Sequence, residues 1–282
     1  MKKNIIIIAS VLLVAACLSI GGVLFFKQQK KEQQADKAEK QSLIVKKEKE
    51  AVKQENLQKK EAQKEAQTEA SESKKIDKNQ KTAYLTIDDG PTKYLKQIVE
   101  ALKKENVKAT FFFVGNNIND EYKADIKQAV QDGNSVGMHS MSHDANKLYK
   151  QGQFIPEMEQ ESKLLSDIVG KKVGLIRAPY GSTYLNNDQV QKAKADKFRL
   201  LDWNIDSNDW KHKGKPQETV SFVSQELDGF HKISPVILVH ETKDTLDAIP
   251  ALVKAIRAKG FVLEPYFEDN DFHLNFKKDP NL

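Results

Sequence analysis

The chain has 282 residues, 39% of them hydrophobic and 30% charged, with 45 basic against 40 acidic side chains and a single cysteine. The basic excess is uneven: residues 27–80 hold fifteen lysines and eleven acids, Lys2 and Lys3 add two more cations, and residues 81–282 carry 28 basic against 29 acidic groups. The foldable part therefore lacks the basic balance that nucleic-acid binding requires, and with Cys17 as the sole cysteine it has neither a disulfide nor a thiolate nucleophile.

Ile5 to Phe26 is a run of 22 residues without a charge, enough to cross a hydrocarbon core of about 30 Å as one helix. Its length favours an uncleaved signal anchor over a cleaved signal. Val14-Ala15-Ala16-Cys17 resembles a lipoprotein processing site, so lipidation at Cys17 is the alternative anchor. Residues 27–80 contain no Gly or Pro and read as a charged, low-complexity stalk or linker that builds no core.

From residue 81 short apolar runs alternate with amphipathic stretches. Strands are predicted at Ala83–Ile87, Ala109–Val114, Ser135–Met138, Val173–Ile176, Arg199–Asn204, Val236–Val239 and Phe261–Leu263. Helices are predicted between them at Tyr94–Glu105, Asp120–Gln131, Pro156–Ile168, Asp188–Ala195, Thr219–Glu226 and Leu246–Ala258. This alternation implies an α/β fold with parallel strands and crossovers. Seven strands fall short of the usual eight, which predicts a distorted or incomplete (β/α) barrel. The expected organisation is a cytoplasmic tip and transmembrane anchor (1–26), a stalk (27–80), a globular domain (81–268) and a C-terminal tail (269–282).

Five motifs begin where predicted strands end: Thr86-Ile87-Asp88-Asp89-Gly90, His139-Ser140-Met141-Ser142-His143, Arg177-Ala178-Pro179-Tyr180, Asp206-Ser207-Asn208-Asp209-Trp210 and Leu238-Val239-His240. In a (β/α) barrel the C-terminal strand ends share one face, so residues distant in sequence converge there. A spacing of four would place the His139 and His143 rings on one side of a helical turn, as two ligands of one metal require. Adjacent Asp88 and Asp89 should diverge as the chain leaves a strand, leaving one to ligate and the other to handle protons. Asp89, His139 and His143 then complete the three protein ligands of a catalytic zinc site, with a position left for water.

In this order and spacing the five motifs resemble those of the polysaccharide deacetylase family, also called the NodB-homology domain or carbohydrate esterase family four, over residues 82 to about 265. The resemblance implies that Asp88 is the general base, paired with and oriented by Arg177, and that Asp89, His139 and His143 bind one divalent metal, zinc first, with cobalt or another ion as alternatives. It further implies that the Tyr180 backbone N–H stabilises the oxyanion and that His240, held by Asp209, is the general acid. Trp210 and Leu238 would wall an acetyl pocket. Ile87 and Ala178 depart from the family's common Phe and Pro without touching the chemistry, and Glu241 stands where many relatives have Asp. His212, His231 and His273 match no motif and read as structural or surface residues.

The implied activity is deacetylation of N-acetylated amino sugars in a cell-wall glycan by a single-pass, extracytoplasmic membrane protein. Peptidoglycan N-acetylglucosamine is the first substrate. N-acetylmuramic acid, chitin oligomers and poly-N-acetylglucosamine are the alternatives within the enzymes, and a non-catalytic glycan-binding module is the alternative outside them. The implied partners are that glycan and the membrane at residues 5–26, not nucleic acid, and the sequence points to no protein partner.

Overall fold

A computed structural model describes residues 81–282. The predicted anchor, Cys17 and the stalk lie outside the described residues, among which no helix is long and apolar enough to cross a membrane. In chain order the elements are β1 (Lys81–Gly90), α1 (Leu95–Lys104), β2 (Thr110–Phe113), α2 (Asp120–Gln131), β3 (Ser135–Met138), α3 (Phe154–Val169), β4 (Leu175–Ile176), α4 (Asn187–Ala195), β5 (Arg199–Leu200), β6 (Ile205–Asp206), α5 (Pro216–Glu226), β7 (Val236–His240), α6 (Lys243–Ala258) and β8 (Phe261–Leu263).

Local chemistry sets the helix ends. Asn119 accepts from the Glu121 and Tyr122 N–H groups at the start of α2, Asn186 and Gln189 form a reciprocal capping box on α4, and Thr242 caps α6. Each satisfies amide donors that the first helical turn leaves without partners. On α1, Leu95, Ile98, Val99 and Leu102 are buried, the i, i+3, i+4, i+7 stripe of a helix lying on a core.

Every strand pairing is parallel. Seven strands run in the order β5-β4-β3-β2-β1-β7-β6, and β8 pairs with the first residues of β1. The barrel is therefore incomplete, open between β5 and β6. Alternation along β2 shows its two sides: Phe111 and Phe113 join the large core between strands and helices, while Phe112 joins Tyr84, Leu175, Leu201, Val236 and Tyr266 in a second, inner cluster.

One predicted strand divides. Arg199–Asn204 was expected to be continuous, but Leu201 N–H donates to the Ile176 carbonyl and Asn204 N–H to the Val236 carbonyl. The segment thus leaves the β4 side and joins the β7 side within four residues, without a helix between β5 and β6. Residues 269–282 pack along this crossing: Asp202 N–H donates to the Leu274 carbonyl, Phe276 N–H donates to Asp202 Oδ2 at 2.7 Å, and Leu282 is buried in the outer core.

Candidate active site

The first motif owes its geometry to a defect in strand pairing. Asp88 lies opposite Phe112 and Gly90 opposite Phe113, so Asp89 is an extra residue bulged out of β1, and its φ is 69°. The bulge reverses the expected divergence of the two carboxylates. Asp88 Oδ2 and Asp89 Oδ1 lie 3.7 and 3.5 Å from the same atom, His139 Nε2.

The histidine pair also differs from expectation. Residues 139–143 form no helical turn; Ser140 and His143 have φ of 67° and 53°, and Ser140 Oγ accepts the His143 N–H at 2.9 Å. A tight left-handed loop, rather than helical periodicity, brings His143 Nε2 to 3.4 Å from Asp89 Oδ1. Glu157 braces this loop by accepting from Ser142 N–H and Oγ at 2.8 and 2.9 Å.

Asp89, His139 and His143 each present one ligand atom within 4.8 Å of the others. Ligands held about 2.1 Å from a tetrahedral ion are about 3.4 Å apart, which the 3.5 and 3.4 Å separations match. Asp89 Oδ1 is buried and has no hydrogen-bond partner among the described residues, a costly condition that a cation would relieve. Burial holds the His139 pKa down at about 3, so its contacts with the carboxylates are not ion pairs. Its Nδ1 lies 2.9 Å from the Arg177 carbonyl, which fixes the tautomer that leaves the Nε2 lone pair facing Asp89. These residues fit a divalent ion.

Arg177 is fully buried, and its guanidinium stacks over Phe112 at 4.2 Å. Four of its N–H groups are used, on Thr86 Oγ1 (2.6 Å), Asp88 Oδ1 (2.9 Å), the Leu201 carbonyl (2.9 Å) and the Asp202 carbonyl (3.0 Å). Asp88 is 2% exposed. Burial raises its pKa, and the Arg177 and His240 charges offset that only in part. The net direction is opposite to the one an adjacent cation alone would produce, and it makes Asp88 a stronger proton acceptor.

On the other side of β1, Asp88 pairs in register with His240 of β7. Asp209 Oδ1 lies 2.8 Å from His240 Nδ1, and its Oδ2 accepts the His240 N–H at 2.7 Å. Burial pulls the His240 pKa down, but the Asp209 hydrogen bond and charge, with Asp88 and Asp89, outweigh it and raise it to about 9. Glu241 N–H donates to the Asp88 carbonyl at 2.9 Å, and its Oε1 accepts the Thr92 N–H at 2.5 Å, tying the bulged turn to β7. Leu238 is buried, whereas Trp210 is 52% exposed, with Lys211 Nζ 4.5 Å from its ring centre.

Ala178 to Gly181 form a turn closed by Gly181 N–H donating to the Ala178 carbonyl at 2.9 Å. Proline at the second position and φ of 65° at Tyr180 define a type II turn. Tyrosine in that left-handed position costs about 1–2 kcal/mol. The Tyr180 hydroxyl lies 3.2 Å from His143 Nδ1 and donates to the His143 carbonyl at 3.1 Å, while its backbone N–H has no acceptor among the described residues. Among the described residues eight non-glycine residues have positive φ, and five of them belong to the motifs: Asp89, Ser140, His143, Tyr180 and Asn208. Backbone strain concentrates where function is built.

Sequence reasoning missed Thr86, Glu157 and Asp202 as supports of this site. Thr86 stands at the head of the first motif and Asp202 is an acid inside an apolar run, Leu200-Leu201-Asp202-Trp203, whereas Glu157 left no signal. The Asp202 carboxylate accepts from Ser182 N–H at 3.0 Å and also bonds Ser182 Oγ. His212, His231 and His273 lie outside the cluster: His212 meets Thr219 Oγ1 at 3.2 Å, His231 is exposed, and His273 meets Arg199.

Residues 75–201 match the family described as Polysaccharide deacetylase. A peptidoglycan-N-acetylglucosamine deacetylase of Bacillus cereus is 38% identical over 209 residues, which span 73% of this chain and 76% of that protein. The chain belongs to the polysaccharide deacetylase family. It is thus a hydrolase of carbohydrate esterase family four. The crystal structure of a Bacillus cereus polysaccharide deacetylase superposes on this deacetylase with a TM-score of 0.67 at 38% identity, covering 72% of this chain and all of the other. A peptidoglycan-N-acetylmuramic acid deacetylase of Bacillus subtilis is 30% identical over 190 residues, covering 67% of this chain but 38% of that longer protein.

Proposed function

We propose that this deacetylase is metal-dependent and removes the N-acetyl group of N-acetylglucosamine in peptidoglycan. The observation that carries the metal is the buried Asp89 Oδ1, without a hydrogen bond and facing two imidazole Nε2 atoms. The relative named for the same substrate, at 38% identity, supports the sugar. The apolar run at residues 5–26 and the charged stretch after it support a domain tethered to the outer face of the membrane, where a wall glycan is within reach.

Asp89, His139 and His143 would hold a divalent ion, which would supply Lewis acidity toward the attacking water and the amide carbonyl. Asp88 Oδ2, on the ligand side, accepts the proton of the attacking water, while Oδ1 stays on Arg177. The oxygen attacks the acetyl carbon, and the Tyr180 N–H, which has no acceptor among the described residues, donates to the developing oxyanion. His240 gives its proton to the amine as the C–N bond breaks, releasing acetate and the free amino sugar. Asp209 keeps that imidazole protonated and oriented. Leu238 and Trp210 flank the acetyl methyl.

Chelation of the purified protein should abolish acetate release from wall glycan, and adding back zinc or cobalt should restore it. Undiminished release after full metal removal would exclude the metal. Mass analysis of muropeptides from cells with and without the protein should show one acetyl group lost per glucosamine. Loss on muramic acid instead would move the protein to the activity named for the Bacillus subtilis relative.

The pH dependence has a defined sign. His240 acts while protonated, so the alkaline limb of kcat/KM should lie near its pKa of about 9, and Asp209→Asn should shift that limb toward the ordinary 6.5 or below. The same pair stabilises the fold below pH 6.5 as long as Asp209, whose pKa the pair lowers, stays ionised, and the contribution fades as pH rises through about 9. An unmoved alkaline limb in Asp209→Asn would remove His240 from the acid role.

A further inference from the structure

We propose that Tyr149 is a positioning residue whose phenol holds the oxyanion donor in place, an inference that rests on the role given above to the Tyr180 N–H. Tyr149 lies in a π-helical turn, Asn146–Lys150, beyond the metal loop. Its hydroxyl donates to the Pro179 carbonyl at 2.5 Å. Pro179 O and Tyr180 N–H belong to one peptide unit, and across a trans peptide these groups point in opposite directions. A donor bound to the carbonyl on one side therefore fixes the N–H on the other, away from Tyr149, where no described residue accepts it.

The orientation needs a brace because the turn has a close alternative. Types I and II differ by a flip of this central peptide. A flip to type I would return Tyr180 from φ of 65° to the ordinary right-handed range and relieve its strain. It would also place the Pro179 carbonyl where the N–H now points, setting a lone pair against the developing negative charge. The Tyr149 bond opposes that flip and can form only in the strained, donor-presenting turn.

The phenol is itself well fixed. Its ring stacks between Phe154 at 6.1 Å and Tyr184 at 5.5 Å, with interplanar angles of 24° and 26°. Burial, with smaller help from nearby Asp202, raises its pKa, so it remains a donor throughout the working range. None of the five motifs contains this residue.

The test is Tyr149→Phe in the full-length, metal-loaded enzyme, a change that keeps both ring stacks and removes one oxygen. Because the donor acts on charge that exists only in the transition state, kcat should fall about 10- to 100-fold, with KM, metal content and melting temperature close to wild type. The Tyr180 amide, followed by 15N NMR, should shift and exchange faster in the variant. A raised KM at unchanged kcat, or a lowered melting temperature without a kcat loss, would give Tyr149 a merely structural or binding role and overturn the proposal. So would wild-type kcat together with an unaltered Tyr180 amide. A wild type that releases no acetate from N-acetylated glycan would count against the proposed function instead; the amide signal would then still show whether Tyr149 holds the peptide.

Discussion

Asp88→Asn should lower kcat by about 10²- to 10⁴-fold, the range that a positioned proton acceptor contributes, without loss of metal. Asparagine is nearly isosteric and its carbonyl oxygen can still accept from Arg177, so the buried network around Thr86, Leu201 and Asp202 persists. What disappears is a group able to take a proton. Metal content should stay near wild type because Asp89 Oδ1, rather than either Asp88 oxygen, lies closest to both imidazole Nε2 atoms. Acetate release and metal analysis on the same preparation separate the two roles: turnover within tenfold of wild type would take Asp88 out of the base role, and loss of the metal would make it a ligand.

Arg177→Ala should be the most damaging change outside the ligands, because it acts on the fold and the site together. Its guanidinium joins β1, through Thr86 and Asp88, to Leu201 and Asp202 of the β5–β6 crossing, the segment that bridges the open edge of the barrel. Removing it leaves Asp88 buried without its cation, two carbonyls without donors and a void over Phe112. Breaking a buried pair by deleting one partner costs about 3–5 kcal/mol, on the order of 10 °C in melting temperature for a domain of this size. Arg177→Lys should recover little, since one ammonium cannot reach four acceptors spread around a planar fork. A melting temperature within two or three degrees of wild type for the alanine variant, by about the same scaling, would contradict this account.

Asp88 also shows how far a local reading reaches. Its cationic partner was implied by the family resemblance, and the contact with Arg177 is present. The direction of its pKa was not, because that direction depends on burial. The split of Arg199–Asn204 was equally hidden: an apolar run states that a segment is buried, while its hydrogen-bond partners, Ile176 on one side and Val236 on the other, lie elsewhere in the chain. Helices were read well where capping residues and apolar spacing coincide, as in Asp120–Gln131.

The sequence by itself determined the alternation of strands and helices, the placement of five polar motifs at strand ends and the supply of three imidazoles, His139, His143 and His240, and three carboxylates, Asp88, Asp89 and Asp209. All of these follow from the spacing and chemistry of neighbouring residues. Only the tertiary structure decided that Asp88 and Asp89 face the same side, that the two histidines meet through a left-handed loop rather than a helix, and that Tyr149 grips the turn bearing Tyr180. Those outcomes rest on the register of β1 against β2 and on the packing of loops from separate strand ends. Such contacts join residues far apart in the chain, and no local pattern encodes them.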